Sequence, residues 1–294
     1  MKPAPFEYHI PDSIEETLDL LQEHGDDAKI LAGGQSLVPA MNFRVVQPSV
    51  LIDLNRVGDL SYINKDEKGI RIGAMTRDRK LEFDPLIADW IPLLAEAVPF
   101  IAHPQIRNRG TIGGSIVHAD PAAEMPVIML ALNARFKLQN SKGERWVGAS
   151  DFFTGMFTTV LEPEEMLVEI ELPRVTPNTG WSFMEVAPRK GDYALMGVAA
   201  QIILDDQNTC KQAKLVFLNA GDGPVNAIEA AQLLEGEILD EEKIKAAALH
   251  ASEMEIAPIG CIHASPEFQK HLANVLTRRT LKVAAKRAKE GYLQ

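Results

Sequence analysis

The chain has 294 residues, 46% of them hydrophobic and 24% charged, which is the make-up of a soluble globular protein with material for two or three domains. Its 41 acidic residues outnumber 30 basic ones, a net charge of −11, so no broad basic field is available to bind nucleic-acid phosphates. The two cysteines, Cys210 and Cys261, stand far apart with no C-x-x-C pair; they read as reduced thiols and cannot supply the ligands of an iron–sulfur cluster.

The N-terminus, Met1 to Tyr8, lacks the apolar core of a signal peptide, and no stretch approaches the ~20 apolar residues of a membrane span. The expectation is a cytoplasmic protein that meets a membrane only through a partner. Ser13-Ile14-Glu15-Glu16 is a capping box that opens a helix with Ile14, Leu18, Leu20 and Leu21 on its apolar side, and Gly25 is placed to stop it. Residues 29–32 read as a buried strand running into Gly33-Gly34-Gln35-Ser36, and residues 49–54 as a second strand. Together they make a small α+β lobe, residues 1–57.

A second lobe, residues 58–176, opens with a strand at 69–74. The proline-punctuated, apolar stretch 84–102 predicts two short helices, and a second glycine pair follows in Thr111-Ile112-Gly113-Gly114-Ser115. Pro121 suits a helix start, so residues 122–132 are read as a buried helix. Segments 135–139 and 145–147 flank Asn140-Ser141-Lys142-Gly143-Glu144, a hairpin signal, and residues 166–172 alternate as a strand ended by Pro173. The turn-rich segment 173–180 marks a boundary. Beyond it, in residues 177–294, come three strands (181–186, 197–204, 213–218) forming one antiparallel sheet, then helices at 226–234, 240–252 and 266 to about 289. The basic residues of the last helix read as a solvated face near a C-terminus.

The chemistry sits in the two Gly-Gly segments. Paired glycines remove two Cβ atoms, so backbone N–H groups can approach a ligand, and successive amides in such a turn make an anion-binding concavity. Neither segment matches G-x-G-x-x-G or G-x-x-x-x-G-K-[ST], so neither a Rossmann domain nor a P-loop enzyme is supported. Two such segments in one α+β context point to a diphosphate held from two sides, hence a dinucleotide. The seven histidines are scattered with no metal-ligand spacing, and no G-x-S-x-G elbow exists; no metal site is expected.

Three motifs, Ala32-Gly33-Gly34-Gln35-Ser36, Gln105-Ile106-Arg107-Asn108-Arg109-Gly110-Thr111-Ile112-Gly113-Gly114-Ser115 and Ala119-Asp120-Pro121-Ala122-Ala123-Glu124, closely resemble the FAD-binding medium subunits of molybdenum hydroxylases, the carbon monoxide dehydrogenase and xanthine dehydrogenase type. The resemblance spans the whole chain, including Phe183 to Ala194. It implies an α+β fold: a two-lobed FAD-binding domain of the PCMH type, followed by a C-terminal domain of three-stranded antiparallel sheet with helices. It implies non-covalent FAD contacted by Lys29, Ile30, Leu31, Ala32, Gly33, Gly34, Gln35 and Ser36 in the first segment. In the second it implies Thr111, Ile112, Gly113, Gly114 and Ser115, the hydroxyls of Thr111 and Ser115 donating. Ile101, Glu124, Leu167 and Tyr193 complete the set, with Glu124 on a ribose or ribityl hydroxyl and Tyr193 over the isoalloxazine ring. Relatives carry a lysine in the strand after the boundary, where this chain has Met184 or Glu185.

The resemblance further implies a large subunit with the molybdenum cofactor, a small subunit with two [2Fe–2S] clusters, and assembly as a dimer of heterotrimers. Electrons would pass from the clusters through FAD to an outside acceptor, with no acid or base required of this chain. Two other readings stay open at this stage: a stand-alone flavin oxidoreductase with its own substrate pocket, and a nucleotide-binding module without turnover.

Overall fold

The structure is a computed structural model that describes residues 1–291. Among the described residues three larger sheets, of three, five and four strands, follow one another along the chain, and a two-stranded one lies within the stretch of the second.

The first lobe runs β1 (Glu7–His9), α1 (Ile14–His24), β2 (Ala28–Leu31), α2 (Leu37–Asn42) and β3 (Val50–Asp53). The sheet is parallel, in the order β1-β3-β2. All four residues of the central strand are buried, which is why Val50, Leu51 and Ile52 form an unbroken apolar run in place of an alternating one. Ser13 caps α1 by accepting from the Glu16 amide, and the Glu16 carboxylate accepts in turn from the Asp12 amide. Strand β1 carried no periodic signal; it is three residues long and exists because β3 offers it an edge.

The second lobe is an antiparallel sheet of β4 (Ile63–Lys65), β5 (Gly69–Gly73), β6 (Arg135–Asn140), β7 (Gly143–Gly148) and β10 (Met166–Pro173), ordered β4-β5-β10-β6-β7. Its helices are α3 (Asp78–Phe83), α4 (Pro85–Trp90), α5 (Pro92–Ala97), α6 (Pro104–Arg107), α7 (Ile112–His118), α8 (Glu124–Ala131) and α9 (Ala149–Phe152), with a small hairpin, β8 (Phe153–Gly155) and β9 (Thr158–Thr159), after the last. Pro85 and Pro92 each sit in a first helical turn, where a missing N–H costs nothing. The 122–132 helix starts later than expected, at Glu124, because Pro121 falls in the turn before it.

The C-terminal domain holds β11 (Thr179–Val186), β12 (Met196–Leu204) and β13 (Cys210–Leu218), the three expected strands, plus a two-residue β14 (Val225–Asn226) at the edge. Helices α10 (Ile228–Gln232), α11 (Glu241–His250) and α12 (Pro266–Glu290) cover one face. Residues 251–255 continue α11 as a π-helical turn, three residues beyond the expected helix end at 252. Among the described residues no helix is long and apolar enough to cross a membrane.

The two faces of β11 belong to different cores. Trp181 and Phe183 pack into the second lobe, whereas Met184 and Val186 pack under the C-terminal helices. A carboxylate fastens this junction: Glu96 of α5 accepts from the Phe183 amide at 2.9 Å and the Ser182 hydroxyl at 3.3 Å, and pairs with Arg287 of α12. Glu96→Ala leaves a half-buried guanidinium and an interior amide without their acceptor. It is expected to cost about 2 kcal/mol, read as a lower urea midpoint at unchanged slope.

Candidate functional site: a cleft between the first two lobes

The first glycine segment is the turn between β2 and α2. Gly34 has φ +73, a conformation that side chains other than glycine rarely adopt. The Gln35 side chain folds back to donate to the Gly33 carbonyl at 2.9 Å, and Asn55 donates to the Ala32 carbonyl at 3.1 Å. The carbonyl side of the turn is thereby occupied. Its amide side is open: the N–H groups of Gly33, Gly34, Gln35 and Ser36 have no acceptor among the described residues. A row of open amides is what an anion requires.

The second segment behaves differently from the expected turn. Thr111 is the N-cap of α7, and Ile112 to Ser115 form its first turn. The amides here are spent internally: Ile112 on the Thr76 carbonyl (3.0 Å), Gly113 on the Ala74 carbonyl (2.9 Å), Gly114 on the Thr111 hydroxyl (3.1 Å) and Ser115 on the Thr111 carbonyl (3.1 Å). Glycine is needed at 113 because a Cβ there would lie 2.7 Å from Ala74 Cβ. This segment forms no amide concavity, and Thr111 itself is buried.

The two segments meet. A Cβ on Gly33 would strike the Arg109 carbonyl and lie 2.8 Å from Gly110 Cα, and one on Gly114 would lie 3.5 Å from Ala32 Cβ. Around this contact opens a cleft of about 410 Å³, lined by residues 31–35, Val38, Pro39, Tyr8, Asp53, Asn55 and Arg109. Asp53 is engaged by the Tyr8 hydroxyl and by Asn55, so it is not a free charge facing a ligand. Arg77 ties the lobes together, donating to the Arg109 carbonyl and to Asn55 Oδ1. Burial and the neighbouring Arg109 charge lower the Arg77 pKa. The Arg109 side of the cleft thus stands opposite four open amides, with the Arg77 guanidinium engaged behind it. Sequence reading missed Arg77, which belongs to no motif, and gave Arg109 no role.

Arg107, in the same motif, is buried and holds the wall. It makes paired hydrogen bonds to Glu82 at 3.0 and 3.1 Å and donates to the carbonyls of Ile101 (2.8 Å) and Ala102 (3.0 Å). Burial would raise the Glu82 carboxyl, but the hydrogen bonds and charge of Arg107, with Arg79, outweigh it and hold the group below its ordinary range.

Of the remaining expected residues, Lys29 and Ile30 lie in β2, Lys29 exposed. Leu167 is buried in the second-lobe core at an irregular step of β10, so only its backbone is placed to meet a ligand. Ile101, Glu124 and Tyr193 gather at the far end, where the second lobe meets the C-terminal domain. Tyr193 is 70% exposed on the β11–β12 connection, whose Gly191 is packed against the His103 ring. His118 packs against Phe157 with the rings tilted and their centroids 5.1 Å apart. Burial pushes the Glu124 carboxyl up to about 7, with Asp120 adding to it. Asp78 is 3% exposed and also pushed up to about 7, by burial and then by Glu124; its Oδ1 has no partner among the described residues. No group of side chains among the described residues could hold a metal ion.

Residues 4–175 match the family model for the FAD-binding domain in molybdopterin dehydrogenase, and residues 181–284 match that for the CO dehydrogenase flavoprotein C-terminal domain. The chain is 43% identical to the 6-hydroxypseudooxynicotine dehydrogenase complex subunit alpha of Paenarthrobacter nicotinovorans, over 98% of this chain and 97% of the relative. It is 37% identical to the carbon monoxide dehydrogenase medium chain of Hydrogenophaga pseudoflava, over 97% and 98%. The solved carbon monoxide dehydrogenase of that organism superposes with a TM-score of 0.95 at 37% identity, covering 98% of this chain and 99% of that one. Quinoline 2-oxidoreductase from Pseudomonas putida 86 gives 0.92 at 38% identity, over 98% and 99%.

Proposed function

The chain belongs to the FAD-binding family of molybdopterin dehydrogenases, and from this premise we propose that it is the FAD-carrying, electron-transfer subunit of a molybdenum hydroxylase complex. The observation that carries the site assignment is the row of open amides from Gly33 to Ser36, at the one place where the two glycine segments meet. These amides hold the FAD diphosphate, and Arg109 on the opposite wall adds a counter-charge. Lys29 to Ala32 carry the turn. Thr111, Ile112, Gly113 and Gly114 hold α7 close enough to close the cleft, and Ser115 offers its hydroxyl. Ile101 and the Leu167 backbone flank the ligand, Glu124 accepts from a ribityl hydroxyl, and Tyr193 covers the ring.

When bound, FAD supplies the capacity to take electrons singly and release them as a pair. The chain binds and orients it; no acid–base residue is needed. Partner subunits carry the molybdenum cofactor and the [2Fe–2S] clusters, an inference supported by the relatives' names as subunits and chains and by the absence of any cluster motif in this sequence. The assembly is a dimer of heterotrimers in the cytoplasm. The chain divides into lobes of residues 1–57 and 58–176 and a domain of residues 177–294, a division that the three larger sheets support.

The test is a visible spectrum of the purified chain titrated with FAD and with FMN, alone and co-expressed with its partner subunits. FAD is expected to bind one to one, and FMN, which lacks the adenylate half that the first-lobe cleft accommodates, is expected not to. A protein colourless with excess FAD in both preparations overturns the reading.

A further inference from the structure

Each wall of the cleft is held from behind, and the two holds are joined. On the first lobe, Asp53 ends β3 with both carboxylate oxygens occupied, one by the Tyr8 hydroxyl and the other by the backbone and side-chain N–H groups of Asn55. Asn55 Nδ2 also donates to the Ala32 carbonyl at 3.1 Å. That carbonyl and the open Gly33 N–H belong to one planar peptide, so a hold on the first aims the second. On the second lobe, Arg77 is rooted in the turn it serves. It forms an antiparallel bridge with Thr111, flanked by the Ile112 N–H on the Thr76 carbonyl (3.0 Å) and the Asp78 N–H on the Gly110 carbonyl (3.1 Å). Its Nη1 donates to the Arg109 carbonyl, the backbone group that faces Gly33. Its Nη2 crosses to Asn55 Oδ1, the one side-chain hydrogen bond between residues 1–57 and 58–176 among the described residues. Elsewhere these lobes meet through apolar side chains, Leu18 and Ile52 in one cluster with Met75 and Val168. Apolar packing is non-directional, so it holds two lobes together without fixing their angle. A guanidinium fork does fix it, because its N–H groups leave one rigid plane in set directions.

We infer that Arg77 is a positioning residue for FAD: through Asn55 it locks the first-lobe turn that carries the open amides against the Arg109–Gly110 turn, so that the cleft stands at its binding width before FAD enters. The inference rests on the FAD reading above and gives Arg77 no contact with the cofactor. A diphosphate gripped from two lobes gains most when both grips are already in place; otherwise the ordering of the lobes is subtracted from the binding free energy. In a chain whose cleft is competent for only a fraction of the time, the apparent affinity falls by that fraction. The lock needs each of its parts, a fork at position 77 and both an acceptor and a donor at position 55. It does not depend on the Arg77 charge as such, because the two groups that accept from Arg77, a backbone carbonyl and a side-chain amide oxygen, are neutral.

The experiment is a double-mutant cycle on FAD affinity, by flavin fluorescence quenching of the full chain, alone and co-expressed with its partner subunits. The urea midpoint of each FAD-free chain is measured alongside. Arg77→Ala and Asn55→Ala should each raise the FAD dissociation constant about tenfold. The double variant should also be about tenfold weaker, not about a hundredfold, because the second substitution has nothing left to break. Arg77→Lys keeps the charge but cannot bridge both acceptors, and it should match Arg77→Ala within about threefold. Asn55 is exposed, and the same cycle runs with Arg77→Lys should Arg77→Ala fail to fold. Three results overturn the inference while the FAD reading stands. Losses that multiply mean two independent contacts with the ligand. Wild-type affinity in Arg77→Lys means that the charge alone acts. Lower urea midpoints with unchanged FAD affinity mean a bond that serves the fold only. If the wild type binds FAD in neither preparation, the FAD reading falls and this inference with it.

Discussion

Gly33→Val should lose FAD affinity by about 100-fold or more, equivalent to about 2.7 kcal/mol, in a chain that still folds. A Cβ at this position has nowhere to go. It meets the Arg109 carbonyl and lies 2.8 Å from Gly110 Cα, both backbone, so no rotamer change relieves the clash. Only separating the lobes does, and that moves the open amides of residues 33–36 away from Arg109. Gly33 belongs to none of the hydrophobic cores: one is built under β1–β3 by residues such as Leu18 and Ile52, another under β5, β6 and β10 by residues such as Ile70 and Phe136. Each lobe should therefore keep its own packing. Gly114→Val is a milder lesion, since its nearest neighbour is the Thr111 hydroxyl at 2.8 Å, a side-chain atom that can yield. Far-ultraviolet dichroism and an FAD titration separate folding from binding. Stoichiometric FAD on Gly33→Val would remove the cleft from consideration as the diphosphate site.

The second large effect is on stability. Arg107→Ala is expected to cost about 3–5 kcal/mol, because it strips the partner from Glu82, whose side chain is 12% exposed, and leaves the carbonyls of Ile101 and Ala102 without their donor. Arg107→Lys keeps the charge but cannot make two parallel hydrogen bonds to Glu82, so it should fall between the two. The pH dependence has a definite sign. Glu82 is held below its ordinary value in the folded chain, so its contribution is present above the unfolded pKa and disappears as pH falls through the folded one. Arg107→Ala should lose that acid-side dependence as well as overall stability. Urea unfolding at pH 7 and in the pH range below 5 checks both. A loss under about 1 kcal/mol at pH 7 would mean that the clamp is incidental.

These outcomes bear on the motif Gln105 to Ser115, whose residues have separate jobs. Arg107 holds the 99–102 segment from inside, Arg109 faces the cleft, and Gly113 lets α7 lie against Ala74. The sequence shows the motif as one block. The division of labour depends on how the four-residue helix α6, the turn after it and the first turn of α7 pack, and no periodicity can be read over such short spans.

Much of the fold was legible because its signals are local. The capping box at Ser13, the prolines at 85 and 92, and the alternation in 166–172 and 181–186 each reflect physics contained within about ten residues. What failed was equally physical. Strand β1 is made by its neighbour. The 112–115 segment reads as a loop because Gly-Gly is a poor helix former, but Thr111 caps it and Ala74 leaves no room for a side chain, so packing overrides propensity.

The candidate site divides along the same line. The sequence by itself determined that two glycine pairs exist, that a hydroxyl follows each, that no metal-ligand spacing or cluster motif is present, and, through the resemblance, that the ligand class is FAD. It left open whether Met184 or Glu185 looks toward the site. Tertiary structure decided only that Glu185, not Met184, shares the face of Trp181 and Phe183 that meets the second lobe, since strand alternation assigns two faces without saying which one is covered. It also decided that the open amides belong to Gly33–Ser36 and not to Ile112–Ser115, and that Asp78, Glu124 and Glu185 carry raised pKa values. The reason is common to all three. Hydrogen-bond satisfaction and desolvation are set by what the folded chain brings alongside a group from far away in sequence, and residues 74, 76, 109 and 121 are nowhere near the groups they complete until the lobes close.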